Sequence, residues 1–166
     1  MIHRIYLLCA AVMLLALAGC QGYDVTVNER VVYSPAPLFK DFEVTDPALQ
    51  ACLEATIEHQ VITRIGQLTS LNCSNAGITD LAGLAAFEAL GVLRLSSNKI
   101  RNLVELQKLA SLRELYLDDN VVVDPVPLYS LRALETLDLT ANANLQCPRN
   151  NELRKVASVA LPHHCR

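Results

Sequence analysis

The chain has 166 residues, of which 52% are hydrophobic and 19% are charged, and it contains no tryptophan. This composition excludes a disordered or collagen-like chain and is typical of one ordinary domain. The 14 basic and 17 acidic residues give a formal net charge of −3 and form no block of like charge. Because a nucleic-acid-binding domain usually carries a clustered basic surface, the sequence predicts no nucleic-acid partner.

Residues 1–19 have the features of a secretory signal. A short basic start, which includes Arg4, precedes an unbroken apolar run from Ile5 to Ala18. This run is shorter than the roughly 20 residues that a membrane-spanning helix needs. Small residues follow it, as they do in a cleaved signal peptide. The sequence therefore predicts that residues 1–19 are removed.

The signal ends in Leu17-Ala18-Gly19-Cys20, which resembles the lipobox of bacterial lipoproteins. The resemblance implies cleavage before Cys20, diacylglycerol on its sulfur and a fatty acyl group such as palmitate on its amine. Several acyl chains hold a protein stably on a lipid bilayer, which is thus one predicted partner. An Asp directly after the lipidated cysteine would resemble an inner-membrane retention signal, but this position holds Gln21. In a source with two membranes, Gln21 therefore favours the outer membrane, on its periplasmic side. The alternatives are a plain secretory signal and an uncut anchor.

Residues 20–45 are predicted to form a lipidated tether with a small hairpin. Two short β-branched runs, 25–27 and 31–33, are separated by Asn28-Glu29-Arg30. The proline-rich run 34–37 is typical of an extended linker. Since a two-stranded hairpin is only marginally stable alone, we expect this stretch either to be mobile or to dock on the first repeat. Three apolar residues are expected to pack on the helix that follows: Leu38, Phe39 and Phe42.

Residues 46–66 are predicted to form an N-terminal cap built on one helix. Asp46 is a suitable helix N-cap, and Pro47 suits the first helical position. Apolar residues then recur at helical spacing as far as about His59. They are Leu49, Cys52, Leu53 and Ile57.

Residues 67–145 contain an internal repeat of 22 residues. The pattern Leu-x-x-Leu-x-Leu recurs in register and places apolar side chains on one side of a short strand. Asparagine follows the pattern in three repeats, and Ala76 occupies its slot in the first. The apolar slots are Leu68, Leu90, Leu112 and Leu134; Leu71, Leu93, Leu115 and Leu137; and Cys73, Leu95, Leu117 and Leu139. The turn asparagines are Asn98, Asn120 and Asn142.

This pattern resembles the leucine-rich-repeat family in its 22-residue, internalin-like form. The resemblance implies an α/β fold, a short solenoid of about four repeats with parallel strands on the concave face and helical caps at both ends. Each turn asparagine is expected to bond backbone groups that the turn leaves unpaired. The resemblance also implies protein binding, which is how these arrays generally work.

Four cysteines remain after Cys9 and Cys20, and an even number in an exported chain predicts two disulfides. Three pairings are possible, and proximity in sequence favours Cys52–Cys73 and Cys147–Cys165. Exported members of the resembled family carry a helix cysteine bonded to the first strand, which supports the first pair. Residues 146–166 are expected to form the C-terminal cap, with a closing helix from Asn150 to Val159. A metal site is the weaker alternative there, because adjacent residues cannot easily converge on one ion; it would use Cys147, His163, His164 and Cys165.

The sequence contains no nucleophile, phosphate-loop or metalloprotease motif, so we predict neither an enzyme nor a cofactor. Asp118-Asp119-Asn120 could suggest calcium, but Asn120 is committed to the turn and no loop supplies further oxygens. A solvated acidic pair is the better interpretation.

The outward positions of the strands form the candidate binding surface. Arg94, Tyr116 and Asp138 are expected side by side at strand spacing, with a central aromatic flanked by both signs of charge. This arrangement predicts a face for a protein or peptide ligand, whereas the alternative is an ordinary wet sheet on a structural envelope component without a specific ligand. The predicted ligand-facing residues are Arg94, Glu114, Tyr116, Asp118 and Asp138.

Overall fold

A computed structural model describes residues 24–149 and 152–165. The predicted signal sequence and Cys20 lie outside the described residues. The chain divides into two compact units, Met1–Pro37 and Leu38–Arg166. Among the described residues, no helix is both long enough and apolar enough to cross a bilayer.

The first unit contains an antiparallel hairpin of strands β1 (Val25–Val27) and β2 (Arg30–Tyr33). The turn has two residues, Asn28 and Glu29, with φ angles of 49° and 63°. Two positive φ angles match the right-handed twist of the flanking strands in a tight hairpin. The strands lie where the sequence predicts them, but Arg30 begins β2 and is not part of the turn.

The second unit begins with helix α1 (Pro47–His59), as the sequence predicts. One Asp46 carboxylate oxygen accepts hydrogen bonds from the backbone N–H groups of Ala48 and Leu49, at 2.9 and 3.1 Å. These donors have no partner inside the helix, so the cap fixes where it begins. The buried face of α1 carries Leu49, Leu53 and Ile57.

The segment before α1 packs on the first repeat as well as beside the helix. The Phe39 N–H donates to the Ile62 carbonyl at 2.8 Å, just beyond α1, and the ring of Phe42 meets Phe87 edge-on at 5.5 Å. Gly83 has a φ of 93°, and a Cβ there would lie 2.1 Å from the Glu43 carbonyl oxygen. Only glycine permits this close approach and this backbone angle.

Five parallel strands form the main sheet, in the order of the sequence. They are β3 (Ser70–Asn72), β4 (Val92–Arg94), β5 (Glu114–Tyr116), β6 (Thr136–Asp138) and β7 (Ser158–Ala160). Each strand pairs with the residues 22 positions further on, for example Ser70 with Val92 and Val92 with Glu114. Since parallel strands need a crossover, the chain returns between them through short 3-10 helices such as Val104–Lys108.

The core lies on one side of this sheet. The central residue of each of the first four strands is buried between two more exposed neighbours, as alternation along a strand requires. The opposite side remains open to solvent. The central buried residues are Leu71, Leu93, Leu115 and Leu137, each at most 1% exposed.

After each of these four strands, one residue adopts a left-handed backbone conformation, and these residues also stand 22 positions apart. They are Asn75, Ser97, Asp119 and Ala141, with φ angles between 53° and 59°. Serine and alanine have no intrinsic preference for this region, so the repeat geometry imposes it. Asp119 therefore belongs to a turn that recurs regardless of charge, which agrees with the interpretation of Asp118-Asp119 as a solvated pair.

The predicted closing helix from Asn150 to Val159 is wrong. Glu152–Lys155 form turns, and Ser158–Ala160 form β7, whose Ser158 N–H donates to the Glu135 carbonyl at 2.9 Å. Without β7, the backbone N–H and C=O groups at the outer edge of β6 would have no partner. A strand can bond these groups, whereas a helix cannot. The apolar spacing agrees, because Val156, Val159 and Leu161 stand 22 residues after Leu134, Leu137 and Leu139. Asn150 itself lies outside the described residues.

Both predicted disulfides are confirmed. Cys52 on α1 is bonded to Cys73 just after β3, and Cys147 is bonded to Cys165, with Cα–Cα distances of 5.8 and 5.2 Å. His164, Cys147 and Cys165 do bring ligand atoms within 4.8 Å of one another. The two sulfurs are bonded to each other, however, so neither is a thiolate that could bind a metal.

Candidate ligand-binding face

The outward side chains of the sheet form three parallel columns, which we call the open face. The register places Arg94 beside Tyr116 and Tyr116 beside Asp138, as the sequence predicts. The residue two positions after each strand adds a third column. The columns on β3–β6 are Ser70, Val92, Glu114 and Thr136; Asn72, Arg94, Tyr116 and Asp138; and Ser74, Ser96, Asp118 and Thr140.

Three charged and aromatic side chains form one cluster at the centre of the open face. The Arg94 guanidinium carbon lies 4.3 Å from the centroid of the Tyr116 ring. The Glu114 Oε2 atom lies 3.5 Å from the Arg94 Nη2 atom and accepts a hydrogen bond from the Tyr116 hydroxyl at 3.1 Å. Glu114 thus holds both partners, which fixes the direction of the tyrosine ring.

This cluster contributes little to folding. The side chains of Arg94 and Glu114 are 43% and 38% exposed. An exposed ion pair contributes about 0–1 kcal/mol to stability, and an exposed cation–π contact adds about 0.5–1 kcal/mol. The arrangement therefore orders three side chains at the surface without being needed to hold the core together.

The other two predicted acidic residues bond neutral donors. Asp118 Oδ1 accepts from the Ser96 hydroxyl at 2.5 Å, and Asp138 Oδ1 accepts from the Thr140 N–H and hydroxyl at 2.9 and 2.7 Å. Ser96 and Thr140 are among the outward strand positions that the sequence predicts. In the third column, Ser96, Asp118 and Thr140 follow one another at 22-residue intervals.

The three turn asparagines lie behind the open face and bond the backbone. Each is buried, and its amide oxygen accepts a backbone N–H from the repeat before it. The donors are Ile78 for Asn98 at 2.9 Å, Ile100 for Asn120 at 3.0 Å and Val122 for Asn142 at 2.9 Å. Each amide nitrogen donates to a carbonyl group of its own repeat and to one of the preceding repeat. They are therefore structural groups and do not contact a ligand at the surface.

A cleft of about 410 Å³ lies away from the open face, between the 3-10 helix Val126–Ser130 and the turn near Glu152. Burial raises the pKa of Tyr129, and the neighbouring Glu152 carboxylate raises it further. The Arg149 N–H and the Tyr129 hydroxyl lower the pKa of Glu152. Tyr129 therefore stays protonated at neutral pH. The cleft could not be predicted from the sequence, because no motif connects Tyr129 with Glu152.

The described histidines lie outside the strands. His59 ends α1, while His163 and His164 lie in the short 3-10 helix His163–Cys165. The His164 ring Nε2 lies 3.0 Å from the Leu145 carbonyl oxygen. No histidine of the described residues lies on β1–β7.

Neither a protein-family model nor a curated protein sequence matches the chain. Among solved structures, internalin F of Listeria monocytogenes is similar over 70% of this chain, at 19% identity and a TM-score of 0.59. Internalin C2 of the same species matches 51% of this chain at 30% identity and a TM-score of 0.45. The aligned regions span 43% and 37% of those chains, respectively. The likeness to internalin F supports an internalin-like leucine-rich-repeat fold.

Proposed function

We propose that the protein is a non-catalytic lipoprotein of the bacterial cell envelope that binds a protein or peptide segment through its open face. Within this proposal, the repeats form a short solenoid of about four units and the open face is its concave surface. The two caps close the ends of the core. The leucine-rich-repeat fold favours binding by analogy alone, so the argument depends on the residues of the face.

The main support for binding at the open face is the central cluster of charged and aromatic side chains. Arg94, Glu114 and Tyr116 hold one another at contact distances although their interactions contribute little to stability. Tyrosine and arginine are, with tryptophan, enriched among the few residues that carry most of the binding energy of protein interfaces. Because the Tyr116 ring is already fixed, a ligand would pay little conformational entropy to contact it.

The size of the face fits a short segment. Five strands at a spacing of about 4.8 Å span about 19 Å. Each strand has only three residues, so the flat region is narrow. These dimensions suit an extended peptide or a single protruding loop of a partner.

Photo-crosslinking in the native envelope tests this proposal. A photoreactive residue at Thr136, whose register partner is Glu114, is expected to yield one discrete protein adduct. Adding Tyr116→Ala should reduce that adduct at least about tenfold, the effect of removing a central interface side chain. The unfolding midpoint of Tyr116→Ala should stay close to that of the parent protein.

A photoreactive residue at exposed Lys108, in a 3-10 helix outside the sheet, is the positional control. No adduct from position 136, or the same adducts from positions 136 and 108, would contradict binding at the open face. Either result would favour the alternative of a structural envelope component, in which only the anchor matters.

The proposed anchor is Cys20, at the end of Leu17-Ala18-Gly19-Cys20. Acylated and bearing diacylglycerol, this residue would hold the protein on a bilayer through several buried chains. Gln21 favours the outer membrane in a source with two membranes. The two disulfides fit an oxidising compartment outside the cytoplasm.

Metabolic labelling tests the anchor. Cells that express the chain and grow with an alkyne analogue of palmitate are expected to label it, and Cys20→Ser should abolish the label and release the protein from the membrane fraction. Cys9→Ser is the matched control, because Cys9 lies within the predicted signal and should leave the label on the mature protein unchanged. Persistent labelling of Cys20→Ser would contradict lipidation at this residue.

A further inference from the structure

The open face carries more negative than positive charge. Arg94 is the one cation in the three columns on β3–β6, whereas Glu114, Asp118 and Asp138 are acidic. Arg94 lies 3.5 Å from Glu114, and these two charges neutralise each other. Two carboxylates, those of Asp118 and Asp138, therefore remain without a cation on the face.

These two carboxylates are only partly satisfied. Their hydrogen bonds come from neutral groups, the Ser96 hydroxyl and the Thr140 N–H and hydroxyl. In each case the bonded atom is Oδ1, and Oδ2 accepts no hydrogen bond from any described residue. Neutral donors orient a carboxylate without removing its charge, so both side chains keep the capacity to pair with a cation.

Tyr116 lies between these charges and Arg94. Arg94 lies over the tyrosine ring from strand β4, and Asp138 lies in register on the opposite neighbour, β6. Asp118 follows Tyr116 by two residues on the same side of the chain. A second cation that approached from the β6 side would meet an aromatic ring and two carboxylates, each of which attracts it. The ion pair with Glu114 reduces the repulsion that Arg94 would otherwise exert.

We infer that the ligand of the open face is a polypeptide segment that presents a lysine or arginine side chain to Asp118 and Asp138 beside Tyr116. This inference rests on the function proposed above and specifies its ligand. The partner is a basic peptide or a loop with an exposed basic residue. An acidic segment meets uncompensated like charge at the same place and is rejected. Binding weakens as ionic strength rises, because the carboxylates are only half-buried.

Selection from a phage library of random decapeptides tests this inference. The full chain in detergent is expected to enrich peptides with lysine or arginine over aspartate and glutamate. Asp138→Lys should weaken binding of the selected peptides at least about fivefold, because it replaces an attracting surface charge with a repelling one. Glu88→Lys is the matched control, since it makes the same charge change at an exposed residue outside the sheet and should leave affinity unchanged.

The outcomes separate the two proposals. Basic peptides that bind Asp138→Lys and Glu88→Lys equally well would overturn the inference, because their binding would reflect net charge alone. Selected peptides without basic enrichment, whose binding is lost in Tyr116→Ala, would overturn the inference and leave the proposed function intact. A selection that enriches no peptide would count against both.

Discussion

Replacement of Asp46 by alanine is expected to lower the free energy of unfolding by about 3 kcal/mol. Asp46 is 5% exposed, and its carboxylate joins two parts of the second unit. One oxygen caps α1 through Ala48 and Leu49. The other accepts from the Thr79 N–H and hydroxyl and from the Asp80 N–H, at 2.8, 2.9 and 3.1 Å. Alanine would leave these donors without their partner and separate the helix cap from the first repeat.

The same contacts make stability depend on pH. Burial raises the pKa of Asp46, but the hydrogen bonds from Thr79, Leu49 and Asp80 outweigh it and lower the pKa from 3.8 to about 2. A lowered pKa in the folded state means that the contribution is fully present above about pH 4 and is lost as the pH falls through 2. The expected loss is about 2 kcal/mol over that range.

Urea unfolding followed by circular dichroism, at pH 7 and at steps between pH 4 and 2, measures both effects. Asp46→Asn keeps an oxygen for the helix cap but places an amide N–H against the N–H groups of Thr79 and Asp80. We expect this variant to lose about 2 kcal/mol of unfolding free energy at pH 7. It should lose little more in acid, because an amide does not titrate. Asp80→Asn is the matched control, because Asp80 is exposed and its side chain bonds only the nearby Ala82 N–H. Equal losses at positions 46 and 80 would refute the assigned role of Asp46.

Most of the fold could be predicted from the 22-residue repeat of apolar residues. Leu71, Leu93, Leu115 and Leu137 were predicted as inward strand residues and lie at the centres of four strands. A short strand that must bury one face allows little choice of register, because a slip of one residue would expose that leucine.

Strand β7 was missed although the period continues through it. Val156, Val159 and Leu161 occupy the next set of apolar slots, but two valines replace leucines and no turn asparagine follows. The repeat pattern is interrupted at residues 142–145, so its continuation into β7 was not recognised. This segment matches the repeat less well but still forms a strand, because pairing with the otherwise open edge of β6 outweighs the local preference of its sequence.

Contacts between distant residues could not be read from the sequence. Asp46 was recognised as a helix cap, but its bonds to Thr79 join residues 33 positions apart, and no period connects them. On the open face the register predicted that Arg94 and Tyr116 would be neighbours. It could not predict that Glu114 would hold both, since that depends on side-chain rotamers that the backbone pattern leaves open.

Replacement of a turn asparagine is expected to lower the free energy of unfolding about as much as truncation of a large core residue does. Asn120 is 6% exposed, and its amide oxygen accepts the buried Ile100 N–H at 3.0 Å. Its nitrogen donates to the carbonyl groups of Leu95 and Leu117, at 2.9 and 3.1 Å. Each buried backbone group left unpaired costs about 1–3 kcal/mol. Asn120→Ala should therefore destabilise the protein by about 4 kcal/mol.

Asn102→Ala is the matched control, because the exposed Asn102 makes one bond, to the Val104 N–H, and should cost about 1 kcal/mol or less. Ala76 already occupies the slot in the first repeat and is exposed, so Ala76→Asn should have little effect. Urea midpoints with unchanged m-values measure these differences. A loss in Asn120→Ala no larger than that in Asn102→Ala would mean that water replaces the buried amide, and that stacked leucines alone hold adjacent repeats together.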